Sequence, residues 1–422
     1  MKMMFTCAAA LVLAAVPAHS QETFTNPSVT YLMQAYGIDK SEAQMRIDLQ
    51  ADIMALSDRL NATGDETYGD MYVQHEPVFK IMILFADKSD RKAFLENLDP
   101  KIRRYVQLKQ AKKSRGQATR ELEELSTILS ARTIAHSSKY DLAEETFDIT
   151  VENERDAGLV RSLLPPNRKI ETTVRIAPLP KPAIAPPTGV VPGDAVRGGE
   201  SIWSGAGGTG GACTLGYAVS FTSGGTAKQG ILTAGHCYAS MKAYLTNHDV
   251  TFLDPLVRKP AKVGGITPDN ISDKYDYLIW ETTGLAVSST ISYVDKSSIP
   301  EFPDFGTLKM TGVSTFLNQK AGMVVCKSGH TTGITCGQIT NGNATHAGVA
   351  GWIEASKSQQ ALFADQGDSG GPVFYYPGTS TTITGVGITT ASNLVSGQTG
   401  ILIYMPIDYI DDHFTTVNTL KN

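Results

Sequence analysis

Apolar and polar positions change their period halfway along this chain. Asp39-Lys40-Ser41-Glu42 places a capping side chain three residues before a glutamate, and Leu49, Ile53, Leu56 and Leu60 then recur at helical spacing. A second helix is expected over residues 120–129, with Leu122, Leu125 and Leu129 on one face. Strand-like runs cover 78–85, 146–151 and 171–177, so the first half reads as α+β. Further on, short apolar runs are broken by Gly, Thr, Ser and Asn: 213–221, 229–233, 277–280, 322–325, 372–376, 382–388 and 401–405. Many short strands with little helix predict an all-β sandwich or barrel.

Charge and glycine follow the same division. Residues 21–195 carry 49 of the chain's charged side chains in 175 positions, and residues 196–422 carry 29 in 227. Glycine runs the other way, 7 against 32. Two stretches under such different rules predict two domains, in keeping with a length of 422 residues. Between them six prolines fall from Pro178 to Pro192, which forbids helix and most sheet pairing and predicts an extended, cleavable linker over 178–195. A net charge of -5 argues against a nucleic-acid binder or a polybasic membrane binder. Beyond the N-terminus no apolar stretch reaches the ~18 residues of a membrane span.

The first twenty residues read as a signal peptide: Lys2, an apolar run over 5–16, then Ala18 and Ser20 before a cut at Gln21. Export removes Cys7 and leaves Cys213, Cys237, Cys326 and Cys336, an even number that reads as two disulfides. Four cysteines allow three pairings, and order along the chain does not choose among them. No cysteine or histidine spacing suits zinc, so no metal is expected, and no cofactor.

The chemistry concentrates in Gly367-Asp368-Ser369-Gly370-Gly371-Pro372. A serine hydroxyl becomes a nucleophile only when a base takes its proton and backbone N–H groups face the oxyanion. Glycines on both sides allow the sharp turn and the close approach that this requires. Ile231-Leu232-Thr233-Ala234-Gly235-His236-Cys237 supplies a histidine just after an apolar strand. Asp276, before Tyr277-Leu278-Ile279-Trp280, is the candidate to orient that histidine; Asp269 and Asp273 are rivals in a polar loop. The remaining histidines, His75, His136, His248, His330, His346 and His413, are expected at the surface or in loops.

In the order His, Asp, Ser these motifs resemble the chymotrypsin-like serine proteases, whereas an α/β-hydrolase runs Ser, Asp, His. Val196-Arg197-Gly198-Gly199-Glu200, Cys213-Thr214-Leu215-Gly216-Tyr217 and the stretch from Val325 to Gly333 resemble the bacterial branch, α-lytic protease and the streptogrisins. The resemblance covers essentially all of 196–422. Residues 21–177 more weakly resemble the α+β propeptide of that branch, an intramolecular chaperone and inhibitor. It implies two antiparallel Greek-key β-barrels, disulfides Cys213–Cys237 and Cys326–Cys336, and a triad of His236, Asp276 and Ser369. The N–H groups of Gly367 and Ser369 would form the oxyanion hole. The expected product is a secreted, monomeric serine endopeptidase made as a zymogen and acting on peptides and proteins. An esterase using the same serine, or an inactive binding protein on this fold, are the alternatives.

Three stretches depart from the branch. Asp365 stands where many relatives have a further cysteine. Thr390-Ala391-Ser392 replaces a Ser-Gly-Gly stretch that lines the substrate pocket. With Ala364 and Gln366 on the other wall, the pocket should take small or medium uncharged side chains. Lys327 stands where an arginine often pairs with the aspartate beside the nucleophile, so a Lys327–Asp368 pair is expected with a point charge in place of a fork.

Overall fold

Local chemistry sets the helices of the N-terminal region. In the computed structural model, which describes residues 26–165, 171–181, 195–203, 212–223, 226–237, 251–252, 265–266, 275–281, 286–295, 304–357, 362–376, 381–393, 400–412 and 418–419, Asp39 accepts from Glu42 N–H and opens the helix Lys40–Asp48. That is half of the expected capping box. The full box belongs to Ser114 and Gln117, which start the helix Arg115–Ser130, a turn longer at its N-terminus than its apolar face alone predicts. Leu49, Ile53, Leu56 and Leu60 face inward from Gln50–Ala62 and the turn before it. The signal peptide and most of the linker fall outside the described residues. No described helix is long and apolar enough to cross a membrane.

The N-terminal region has a small sheet of Tyr68–Gln74, Lys80–Phe85 and Val106–Gln110. A second set, Thr172–Ile176, Thr146–Val151 and Ser137–Asp141, continues into the C-terminal half, where Ser138 pairs with Thr345.

In the C-terminal half, six antiparallel strands close on themselves. Gly333–His346 pairs with Val324–Gly329, then follow Pro372–Tyr375, Thr382–Ser392, Gly400–Pro406 and Val349–Lys357, which returns to Gly333–His346. Closure removes free edges, and the interior is filled by Val325, Ile339, Ile353, Phe363, Val373, Leu402 and Tyr404. A second sheet runs Gly265–Ile266, Leu278–Glu281, Thr226–Thr233, Ala218–Ser223 and Asn418–Thr419, beside a three-stranded set of Thr251–Phe252, Ser201–Trp203 and Ala212–Thr214. The run expected as one strand over 213–221 is therefore two, broken at Leu215-Gly216-Tyr217. Buried side chains of the N-terminal region, such as Leu32 and Ile47, join the same apolar cluster as Val324 and Ile403.

Candidate active site

The candidate residues sit where the two C-terminal sheets meet. The strand Thr226–Thr233 leads through Ala234 into a helical turn of Gly235, His236 and Cys237. Leu278–Glu281, paired with it, brings Asp276 alongside. Asp276 is fully buried, and its carboxylate accepts both the His236 backbone N–H, at 2.9 Å, and the ring Nδ1–H, at 2.8 Å. That second bond fixes the ring proton on Nδ1 and turns Nε2 away from the carboxylate. Burial pushes the Asp276 carboxyl up, but the charge and hydrogen bonds of His236 outweigh it, with Thr390 acting the same way, and the group is held below its ordinary range. The Asp276 N–H points at Met405 Sδ, 3.3 Å away. Asp269 and Asp273 lie outside the described residues, as do His248 and His413.

Ser369 lies on a loop that is tied down at several points and is itself 1% exposed. Thr214 holds both sides of it: its N–H donates to Ser369 O at 2.8 Å, and its hydroxyl donates to Gly367 O at 2.6 Å. Gly370 N–H donates to Thr389 O. Gly370 has φ +85°, and a Cβ there would come within 2.2 Å of Thr233 Oγ1 and 2.7 Å of Ala234 N. The loop thus packs directly on the segment that carries His236, and Cys237 Sγ lies 3.9 Å from Ser369 O. The Cys213–Cys237 disulfide joins the Thr214 strand to that same segment. Cys326–Cys336 joins two directly paired residues of the closed ring. Both pairings are those that the resemblance implies.

Beneath Ser369, Asp368 and Lys327 are both completely buried, with Nζ 3.0 Å from Oδ2. The carboxylate also accepts from the N–H of Thr331 (2.8 Å), Thr332 (3.1 Å) and Asp365 (3.0 Å), and from the Thr332 hydroxyl (2.6 Å). Lys327 donates further to Gly333 O at 2.9 Å and to the Thr332 hydroxyl. Burial raises the Asp368 carboxyl, Lys327 and this ring of donors lower it more, and it stays below its ordinary range. Thr214, Thr331 and Thr332 leave no local pattern in the sequence, because their roles depend on contacts across the fold.

The expected pocket residues are distributed unevenly. Ala364, Thr390, Ala391 and Ser392 are buried, and Gln366 is exposed. Thr390 faces Asp276, and Ala391 belongs to an apolar core cluster. Ser392 exchanges backbone hydrogen bonds with Lys181, N–H to O at 3.0 Å one way and 3.3 Å the other.

Three histidines expected at the surface are buried. His75, His136 and His346 are 7%, 2% and 5% exposed, and each lies where the N-terminal region meets the C-terminal half. Their partners lie on other elements, Gly322 and Arg46 for His75 and Ser126 for His136, so nothing beside them in the sequence marks them.

The chain is similar to serine protease 2 of Streptomyces fradiae, 30% identical over 179 residues that cover 42% of this chain and 87% of that protein. Among solved structures, a glutamic-acid-specific serine protease matches 53% of this chain and all of its own at 23% identity, TM-score 0.37. Protease A of Thermobifida fusca matches 54% and all of its own at 22% identity, TM-score 0.36. No family model matches the chain. On the sequence match to the Streptomyces enzyme, the chain belongs to the bacterial chymotrypsin-like serine proteases. It is a serine-type endopeptidase.

Proposed function

We propose that this endopeptidase is exported on residues 1–20 and made as a zymogen. Residues 21–177 serve as a folding-assisting and inhibitory propeptide, 178–195 as the linker that is cut, and 196–422 as a double-barrel protease. Ser369 is the nucleophile, His236 the base and Asp276 its partner. The observation that carries this assignment is the buried Asp276 carboxylate accepting two N–H groups of His236, beside a serine loop fixed by Thr214 and Gly370.

In the reaction, Ser369 Oγ attacks the peptide carbonyl while His236 Nε2 takes its proton. The imidazolium that forms is stabilised by Asp276. The N–H groups of Gly367 and Ser369 receive the oxyanion; the peptide planes that carry them are held where Gln366 O accepts the Thr331 hydroxyl and Asp368 O accepts Gly371 N–H at 2.9 Å, which supports this role. His236 then gives the proton to the leaving amine, and water repeats the sequence on the acyl-enzyme. A preference for small or medium uncharged residues before the scissile bond is part of the same proposal. The test is hydrolysis of a peptide-amide panel and a matched ester by the wild-type chain and by Ser369→Ala. Amide cleavage lost in the variant supports the assignment. Ester turnover alone would make the chain an esterase, and strong cleavage after Lys or Arg would refute the specificity.

A further inference from the structure

The N-terminal region grips one turn of the protease half through three neighbouring contacts. Asp70 accepts from Lys320 Nζ at 2.6 Å, Val73 N–H donates to Ala321 O at 2.8 Å, and His75 Nε2 donates to Gly322 O at 2.8 Å. The surfaces touch so closely that a Cβ on Gly322, where φ is +89°, would fall 2.0 Å from Val73 O.

The protonation state of His75 follows from its partners. Nε2 meets a carbonyl and must carry hydrogen. Nδ1 faces Arg46 Nη1 at 3.2 Å, and a guanidinium can only donate, so Nδ1 is bare. Arg46 is locked there by His75 O, at 3.1 Å, and by the Glu42 carboxylate. Tyr36 stacks on the ring with centroids 4.7 Å apart, and Phe79 leans on it at 5.7 Å. A proton on Nδ1 would set donor against donor and cation against cation in a site with almost no access to water.

We propose that His75 is an acid-released latch: neutral, it holds the 320–323 turn against residues 26–181, and protonated at Nδ1 it lets that turn go. The consequence for activity, faster shedding of the inhibitory region in acid, rests on the zymogen reading above; the latch itself does not.

Burial, and to a smaller extent Arg46, hold His75 at about 4 against an ordinary 6.5, with the Gly322 hydrogen bond pulling the other way. The closed seam therefore binds fewer protons than the open one. It is tightest above pH 6.5 and weakens as pH falls toward 4. At pH 5 His75 alone should favour opening by roughly 30-fold. Other groups at the seam act beside it. Burial also lowers His136, whose partner Ser126 donates to Gly348 O at 2.8 Å. His346 is held at about 4 by burial, with Asp276 acting upward and His236 downward. Lys320 is lowered to about 8 by burial against the charge of Asp70, with Arg115 acting downward, and titrates outside the acid window.

The test uses the full chain carrying Ser369→Ala, so that nothing is cut. Hydrogen–deuterium exchange of segments 68–75 and 320–329 is compared at pH 7.5 and 5.0 after correction for intrinsic rates. The latch predicts opening roughly 30-fold more favourable at pH 5.0, and His75→Gln, which keeps a donor but does not titrate, should reduce that response by about the same factor. Equal protection at the two pH values, or an unchanged response in His75→Gln, overturns it. If that variant does not fold, the imidazole of His75 is titrated by NMR in the parent: a midpoint near 4 supports the latch and one near 6.5 refutes it. Neither measurement needs a working active site, so failure of the catalytic assignment would be seen separately.

Discussion

At the scale of single residues, the site works by burying charge only where it is answered. Asp276 has no exposure, yet two N–H groups of His236 keep it ionised. Asp276→Asn preserves the shape but loses the carboxylate that fixes the histidine tautomer, so kcat on a peptide substrate should fall by about 10⁴-fold with little change in KM. Lys327 and Asp368 show the opposite risk. Lys327→Ala strands a buried carboxylate and should cost about 3–5 kcal/mol in chemical denaturation. A smaller loss would mean that the Thr331, Thr332 and Asp365 donors carry Asp368 without the lysine. Glu200 is a carboxyl whose burial, only partly offset by Arg197 and Ser292, raises it to about 7. Its protonated form is favoured in the folded chain, so that contribution to stability is complete below pH 4.5 and is lost as pH rises through 7. Glu200→Gln should accordingly raise Tm at pH 8 more than at pH 4.5.

At the scale of elements, Thr382–Ser392 is the strand that the site depends on most. It closes the six-stranded ring, accepts Gly370 N–H at Thr389, faces Asp276 at Thr390 and pairs with Lys181 at Ser392. Gly370 is the tightest joint between this strand and the serine loop. Gly370→Ala would meet Thr233 and Thr214 at positive φ, and it should destabilise the chain by about 2 kcal/mol or more while reducing serine reactivity. The motifs around His236, Asp276 and Ser369 were legible because the chemistry proposed for them demands fixed residue types in short runs, and the structure places His236 against Asp276 and the Ser369 loop against the segment that carries His236. The hairpin of Gly333–His346 and Val349–Lys357 was not legible. Its runs of Gly, Thr and Asn resemble turns locally, and its strand character comes from pairing on both sides.

At the scale of the whole molecule, the two regions are less separate than their compositions suggest. The proline count and the change in charge density marked a boundary, but neither could show that Ile47 and Val324 share a core, or that His75 and His136 are buried at the seam. Such contacts join positions far apart in sequence, and each side alone reads as an ordinary surface. Gln50 exchanges hydrogen bonds with Val324, and Ser137 donates to Thr345 O at 2.9 Å, so the seam engages the strands of the closed ring themselves. If residues 21–177 assist folding, residues 196–422 expressed alone should refold slowly or not at all, with activity recovered by supplying the N-terminal region in trans. Rapid, unaided refolding to full activity would remove that role.

The central claim, that Ser369 is an activated nucleophile in a chain processed near residue 196, is tested most directly by treating the expressed protein with a fluorophosphonate probe and measuring intact mass beside Ser369→Ala. One probe adduct is expected on a species that begins near Val196 and retains two disulfides, with no adduct in the variant. An unlabelled chain still carrying residues 21–195, or equal labelling of wild type and variant, would contradict it.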